Sequence, residues 1–207
     1  MHDNQNQYFI HQGYSYRDEI LYSLGTLLNF YVEKHSKALV VRFDIHYPQG
    51  YTEQSRNADI SNCMSYVIKK YKRYGYDPYY MWVREQTEQS QHCHYHCVLF
   101  LDAQKVLKYS HIFQDVEQAW GRALGYPVTG CVHDCINEKH DYNGKVIRRD
   151  AGADAFHARC QEVFEQLSYL AKIYSKAPNN DGMRNFGMSR IPVVQPLLPP
   201  ELNLFGD

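Results

Sequence analysis

Apolar residues recur at three- and four-residue spacing between Ser15 and about Lys34, at Ile20, Leu21, Leu24, Leu27, Leu28 and Tyr31. That period predicts an amphipathic helix, with Ser15 and Asp18 as its starting polar residues. Ala38 to Tyr47 is continuously apolar at first and alternating later, and stops at Pro48-Gln49-Gly50, which predicts a strand. A second helix is predicted over Asp59 to Gly75, with Ile60, Met64, Val67, Ile68 and Tyr71 inward, and a third from Ser110, its capping residue, through Leu124, with Ile112, Phe113, Val116, Ala119 and Trp120 inward. Between these helices the aromatic run Tyr79 to Glu85, the polar linker Gln86 to Gln91 and the run ending Val98-Leu99-Phe100-Leu101 read as an antiparallel hairpin. Tyr126 to Ile136 reads as strand-like, and Asp141-Tyr142-Asn143-Gly144 as a hairpin turn at the surface.

The last periodic segment runs from Ala155 to Lys176. At about 100° per residue, Phe156, Cys160, Val163, Phe164, Leu167, Leu170, Ala171 and Tyr174 share an apolar stripe, while Glu162, Glu165, Tyr169, Lys172 and Lys176 share the polar one. Tyr169 is thus expected on the exposed face of a helix, one turn from Lys172. Ile191 to Pro200 holds four prolines and is expected to be an extended tail. The expected architecture is α+β: a central antiparallel sheet of about five strands with flanking helices, mainly on one face.

Candidate chemistry concentrates in Gln91-His92-Cys93-His94-Tyr95-His96-Cys97. Alternate strand residues share a face, so His92, His94 and His96 are expected on one side and Cys93, Tyr95 and Cys97 on the other. Two imidazoles on one face suit a divalent cation. The hairpin brings Glu85 alongside as the preferred third ligand, with His92, Asp44 and His46 behind it. An earlier frame, His92-Cys93-His94, is possible; the later frame is preferred because His96 leads directly into the apolar run. Imidazole and carboxylate with open water positions fit Mn2+ or Mg2+, though nitrogen-rich sites also take Zn2+ or Ni2+.

His94-Tyr95-His96 followed by Cys97-Val98-Leu99-Phe100 resembles the His-hydrophobe-His signature of the HUH endonucleases, the rolling-circle replication initiators and their relaxase and transposase relatives. Two further segments match in order. Phe43-Asp44-Ile45-His46-Tyr47-Pro48 resembles the first initiator motif, and Tyr169-Leu170-Ala171-Lys172 the third, Tyr-x-x-Lys; Arg184-Asn185-Phe186-Gly187-Met188-Ser189-Arg190 is similar to a segment that follows it in phage initiators. The match is closest to inovirus-type replication proteins and the YagK/YfjJ-type prophage proteins. The resemblance implies an HUH fold, ferredoxin- or RRM-like, and a rolling-circle initiator that nicks single-stranded origin DNA with Tyr169 as nucleophile and Lys172 as its helper. It implies a metal, Mn2+ or Mg2+, at His94, His96 and Glu85. It also implies a 5′-phosphotyrosine with a free 3′-hydroxyl primer, and a host polymerase and helicase as partners. The alternatives are a catalytically idle DNA-binding relative and a zinc-stabilised interaction module.

Composition narrows this picture only in part. At 207 residues and 24.4 kDa, the chain suits one domain over 1–190 with a Pro-rich tail over 191–207, expected to act as a monomer. With 22 basic and 23 acidic residues, bulk charge gives no argument for nucleic acid, so DNA contact is assigned to local groups: Lys69, Lys70, Lys72 and Arg73, together with Lys176, Arg184 and Arg190. Arg148-Arg149 is a weaker patch and the Asp141 to Gly144 turn a further point of contact. The six cysteines read as reduced thiols in a cytoplasmic chain without a leader or membrane-spanning run. Cys93/Cys97 and Cys131/Cys135 with His133 lack the usual zinc-ribbon spacing, and no Gly-x-x-x-x-Gly-Lys phosphate loop is present.

Overall fold

A strand that is apolar on both faces has to be covered on both, and the run into Leu101 is such a strand. The computed structural model describes residues 8–10, 14–86, 90–106, 108–135, 143–173 and 182–192. In chain order the elements are α1 (Asp18–Lys34), β1 (Lys37–Ile45), α2 (Asn57–Arg73), β2 (Tyr79–Glu85), β3 (His94–Asp102), α3 (Ser110–Leu124), β4 (Val132–Asp134), β5 (Lys145–Arg148), α4 (Ala153–Ser168) and β6 (Phe186–Met188). All strand pairs are antiparallel. The order across the sheet is β4-β1-β3-β2-β6, with β5 also paired to β1. The architecture is α+β, as the hydrophobic pattern predicts. None of the described helices is long and apolar enough to cross a membrane.

The helices divide two and two across the sheet, which corrects the expectation that they lie mainly on one face. On one side α2 and α3 pack Ile60, Met64, Val67, Ile112, Val116 and Trp120 against Phe43, Ile45, Tyr95, Cys97, Leu99 and Trp82. On the other, α1 and α4 pack Leu24, Leu28, Val163 and Leu167 against Val40, Val98, Phe100 and Met81. The pattern carries the reason: β3 is unbroken in its apolar run and β1 is unbroken from Ala38 to Val41, whereas a sheet with one wet face would alternate throughout.

The second sheet edge departs further from expectation. Among the described residues, Tyr126 to Cys135 yields only the three-residue β4, and the predicted turn Asp141-Tyr142-Asn143-Gly144 lies half outside them. β4 pairs with Phe43–Ile45 and β5 with Lys37–Val40, so both lie end to end along the same edge of β1. Asp141 and Tyr142 fall outside the described residues, but Asn143 is only 6% exposed and points inward rather than to the surface. Its Oδ1 accepts from the Arg42 N–H at 3.1 Å, and its Nδ2 donates to the Arg42 carbonyl and, at 2.7 Å, to Asp134 Oδ1. A side-chain amide thus stands in for a strand partner where the edge strand is interrupted.

α1 begins at Asp18, without a side-chain cap from Ser15, and Ser110 opens α3 without capping it. Of the expected tail, only Ile191 and Pro192 are described, and Ile191 packs on the α1/α4 core. On the opposite edge β6 pairs Gly187 with Trp82. A Cβ on Gly187 would lie 2.6 Å from the buried indole. Gly187→Ala is therefore expected to overpack the sheet at a cost of about 1–3 kcal/mol, lowering Tm by roughly 2–12 °C. Gly25→Ala, mid-helix and 3.6 Å from Phe164, is expected to raise Tm instead, because ordinary contact replaces a flexible residue. Thermal denaturation of the two variants checks the pair, and an unchanged Tm for Gly187→Ala would contradict the packing described.

Candidate metal and tyrosine site

The antiparallel registers put three strands' polar residues in rows. Asp44 pairs with His96, and His96 with Val83; one step further along the same face, Glu85 pairs with His94. On this face each strand is apolar beneath α1 and α4, at Val40, Val98, Phe100 and Met81, and becomes polar at the same end, at Arg42, Asp44, His94, His96 and Glu85. The site forms where the helical cover stops.

Glu85 Oε2 lies 3.1 Å from His94 Nε2 and 2.7 Å from His96 Nε2. These three side chains form the one group of metal-ligand type found among the described residues, with all donor atoms within 4.8 Å of one another. Two ligands at right angles on a metal with bonds of about 2.1 Å lie about 3 Å apart, so the spacing and the nitrogen–oxygen donor set fit a divalent cation. The predicted set His94, His96 and Glu85 is therefore brought together. Burial alone would raise the Glu85 carboxyl, but hydrogen bonds from His94 and His96 outweigh it and hold the group at about 2. Burial would lower His96, yet its bonds to Asp44 and Glu85 raise it above the usual imidazole range.

Asp44 is not a fourth member of that group. Its Oδ1 lies 2.7 Å from His96 Nδ1. With Nδ1–H donated to Asp44, the ring is oriented so that Nε2 faces Glu85 and His94, the arrangement by which an outer carboxylate fixes a ligating imidazole. Burial would raise Asp44 as well, and the His96 bond overrides it. His46 stacks flat on His94 at 5.0 Å between centroids and meets His133 edge-on at 4.9 Å. Burial, with His94 and His133 beside it, holds His46 below its ordinary value.

His92 departs from the expected face. β3 begins only at His94, and His92 packs on the α2 side, with Nδ1 2.9 Å from Ser55 Oγ and Nε2 2.7 Å from the Tyr51 carbonyl. Its ring lies against Tyr47, 5.0 Å between centroids, in a structural role. The cysteines are free and, apart from Cys135, buried; among the described residues none joins a three-ligand metal group. Burial and the neighbouring Asp44, against an opposing Arg42, push the Cys135 thiol up to about 12.

Tyr169 comes to the site by a different local structure from the one expected. α4 ends at Ser168, Tyr169–Ala171 form a 3-10 turn, and Lys172 is extended. The segment before α1 captures the chain here: Arg17 N–H donates to the Ala171 carbonyl at 2.8 Å and Ile173 N–H to the Ser15 carbonyl at 2.9 Å, around a Tyr16–Lys172 bridge. Tyr169 remains 38% exposed, its ring 5.7 Å from that of His96. Lys172 Nζ lies 5.6 Å from the Tyr169 ring centroid but 3.5 Å from that of Tyr14. Tyr174 and Lys176 fall outside the described residues.

The other residues assigned to DNA do not gather at this site. Lys69, Lys70 and Arg73, with Arg122, Tyr66 and Tyr74, line a groove of about 430 Å3 between α2 and α3, and Lys70 is paired there with Asp115 at 2.7 Å. That groove is on the opposite face of the sheet; the C-terminus of α2, where Lys72 also lies, leads into the start of β2, the end away from Glu85. Arg184 lies nearer the site end, its carbonyl accepting from Asn57 Nδ2 at 2.9 Å next to the Arg84–Asn185 backbone bond, while Arg190 follows β6 past Tyr80. Arg42 joins the site without a motif of its own to mark it. Its guanidinium carbon lies 4.3 Å from the Tyr169 ring centroid, and the alternation Arg42, Asp44, His46 along β1 and one residue past its end is the signal for it.

A sequence profile of the YagK/YfjJ C-terminal domain matches residues 2–189. The chain is 26% identical over 198 residues to the uncharacterized protein YagK of Escherichia coli strain K12, covering 81% of this chain and 90% of that one. No solved structure matches.

The geometry sets expectations for cation binding by calorimetry with Mn2+ or Ni2+. One equivalent is expected to bind, His96→Ala and Glu85→Gln to abolish it, and Asp44→Asn, which disturbs only the orientation of His96, to weaken it about 10–100-fold. His92→Ala is expected to leave the affinity unchanged. Equal affinity in His96→Ala and the parent protein would rule out the assigned site.

Proposed function

This chain belongs to the YagK/YfjJ C-terminal domain family, and on that premise we propose that it is a metal-dependent single-strand DNA endonuclease of the HUH kind, which starts rolling-circle replication by nicking origin DNA. The observation that carries the reading is the meeting of Tyr169 with the Glu85–His94–His96 group, two segments far apart in sequence whose rings come within 5.7 Å. An exposed tyrosine beside a cluster of cation ligands suits phosphoryl transfer to a side chain better than a structural role, because neither group contributes to the cores on either side of the sheet.

A phosphodiester repels nucleophiles through its negative charge, and a divalent cation, Mn2+ or Mg2+, supplies the neutralisation when bound at this site. The residues of the chain do the rest. His94, His96 and Glu85 hold their donors on one face, and Asp44 keeps His96 turned toward them. The Tyr169 hydroxyl attacks phosphorus: the Oη–P bond forms and the P–O3′ bond breaks. The phenol proton passes to solvent and the departing 3′-oxygen takes one up. The products are a 5′-phosphotyrosine and a 3′-hydroxyl from which a host polymerase extends, with a host helicase opening the duplex. The 3-10 turn supports this role: Lys172 N–H donates to the Tyr169 carbonyl and the segment before α1 holds Ala171 and Ile173, while Tyr169 stays 38% exposed.

The test is incubation with labelled single-stranded DNA from the chain's own replicon in Mn2+, read on a denaturing gel. A protein-linked band is expected, lost in Tyr169→Phe and in EDTA, and lowered in His96→Ala to the level without metal. Origin DNA that the protein binds without ever forming that band would remove the nuclease reading and leave the idle DNA-binding relative in its place.

A further inference from the structure

Arg42 is the cation at this site whose surroundings are incomplete. Its guanidinium stacks on the Tyr169 ring, one pleat from Asp44 on the same face of β1. Nε is shielded from solvent and has no hydrogen-bond partner, and Arg42 forms no ion pair among the described residues. Several cations elsewhere in the fold are ion-paired, among them Lys34 to Asp77 at 2.6 Å, Lys70 to Asp115 at 2.7 Å, Lys145 to Glu162 at 2.9 Å and Arg159 to Glu162 at 2.6 Å. The nearest carboxylate along its strand, Asp44, has its Oδ1 committed to His96. A partly buried guanidinium with no carboxylate in hydrogen-bond contact bears a desolvation cost that an arriving anion offsets.

The position is also held firmly. Asn143 engages both the N–H and the carbonyl of Arg42 and ties them to Asp134, so the side chain rises from a fixed point over the tyrosine. Lys172, the cation that a Tyr-x-x-Lys pattern would select, is the more distant of the two from the Tyr169 ring and engages Tyr14. A guanidinium also presents its donors as a planar fork that matches two oxygens of a phosphate, which an ammonium does not.

We propose that Arg42 is the binding group for the phosphate under attack, taking a non-bridging oxygen in the gap between its guanidinium edge, Tyr169 and the Glu85–His94–His96 group. This rests on the nuclease reading and deepens it by naming the residue that meets the substrate's charge. Asn143 is then a positioning residue that acts through Arg42.

The experiment crosses a charge on the protein with a charge on the DNA. Affinity is measured by fluorescence anisotropy in the Tyr169→Phe background, which retains the ring and cannot react. One strand carries the ordinary phosphodiester at the cleaved linkage, the other an uncharged methylphosphonate there. Arg42→Gln is expected to weaken binding of the phosphodiester strand about tenfold and to leave the methylphosphonate strand within about twofold, with Arg42→Lys intermediate on the first strand only. With Tyr169 present, Arg42→Gln is expected to slow adduct formation about 10²–10³-fold, the scale seen when one charge-stabilising donor is removed. Circular dichroism and Ni2+ titration establish that the variants keep fold and cation site; should Arg42→Gln fail to fold, Arg42→Lys carries the same comparison. Equal losses on both strands, or none on either, overturn the assignment of Arg42 while an adduct from the parent protein keeps the nuclease reading intact. No adduct from the parent protein overturns both.

Discussion

Antiparallel registration of β1, β3 and β2 is the constraint on which the rest of this structure depends. Side chains alternate with a period of two, so a slip of one residue in either pairing would turn Asp44 or Glu85 away from the histidines and bring Ile45 or Arg84 into their place. The slip is prevented by the interior on both sides. Trp82, Tyr95, Phe43 and Trp120 fill one core while Leu24, Leu28, Val98 and Phe100 fill the other, and a displaced β3 would bury histidine in one and expose phenylalanine from the other. The same packing that stabilises the sheet by excluding water from its middle therefore sets Glu85, His94 and His96 to within a fraction of a strand step at its end.

The site gathers charge where a protein ordinarily avoids it. Two carboxylates converge on His96, itself buried, and the raised imidazole and lowered Glu85 carboxyl are two sides of that one convergence. Such a chain of ionic hydrogen bonds is costly to desolvate and stabilises the fold little in return, while it leaves the donors pre-arranged for a ligand of the right charge. A stable fold with a strained electrostatic corner is the usual balance in proteins that act on other molecules.

Much of this was legible in the sequence, for reasons that can be named. α3 and β2 fall on the boundaries that periodicity gives, and the pair His94 and His96 with Glu85 follows from strand alternation plus one short hairpin. What was not legible depends on partners far away in the chain. A helical period persists through Lys172, yet Ser15 and Arg17 offer the backbone a competing set of hydrogen bonds and the helix yields after Ser168. His92 keeps the alternation on paper, but it precedes the strand and is held by Ser55 and Tyr51. Asn143 followed by glycine reads as a turn from composition alone; only the proximity of Arg42 turns the amide inward. Lys69 to Arg73 form a basic run whose position relative to the histidines no local pattern contains.

The interrupted edge strand separates two demands that a continuous strand would tie together. β4 and β5 each take their register from β1 rather than from one another, so neither half of the ladder depends on the other for its alignment. Asn143 closes the interruption from one side and sits directly behind Arg42. The two halves of the ladder are thus anchored independently, and the Glu85–His94–His96 corner beside them draws its register from β1, β3 and β2 alone.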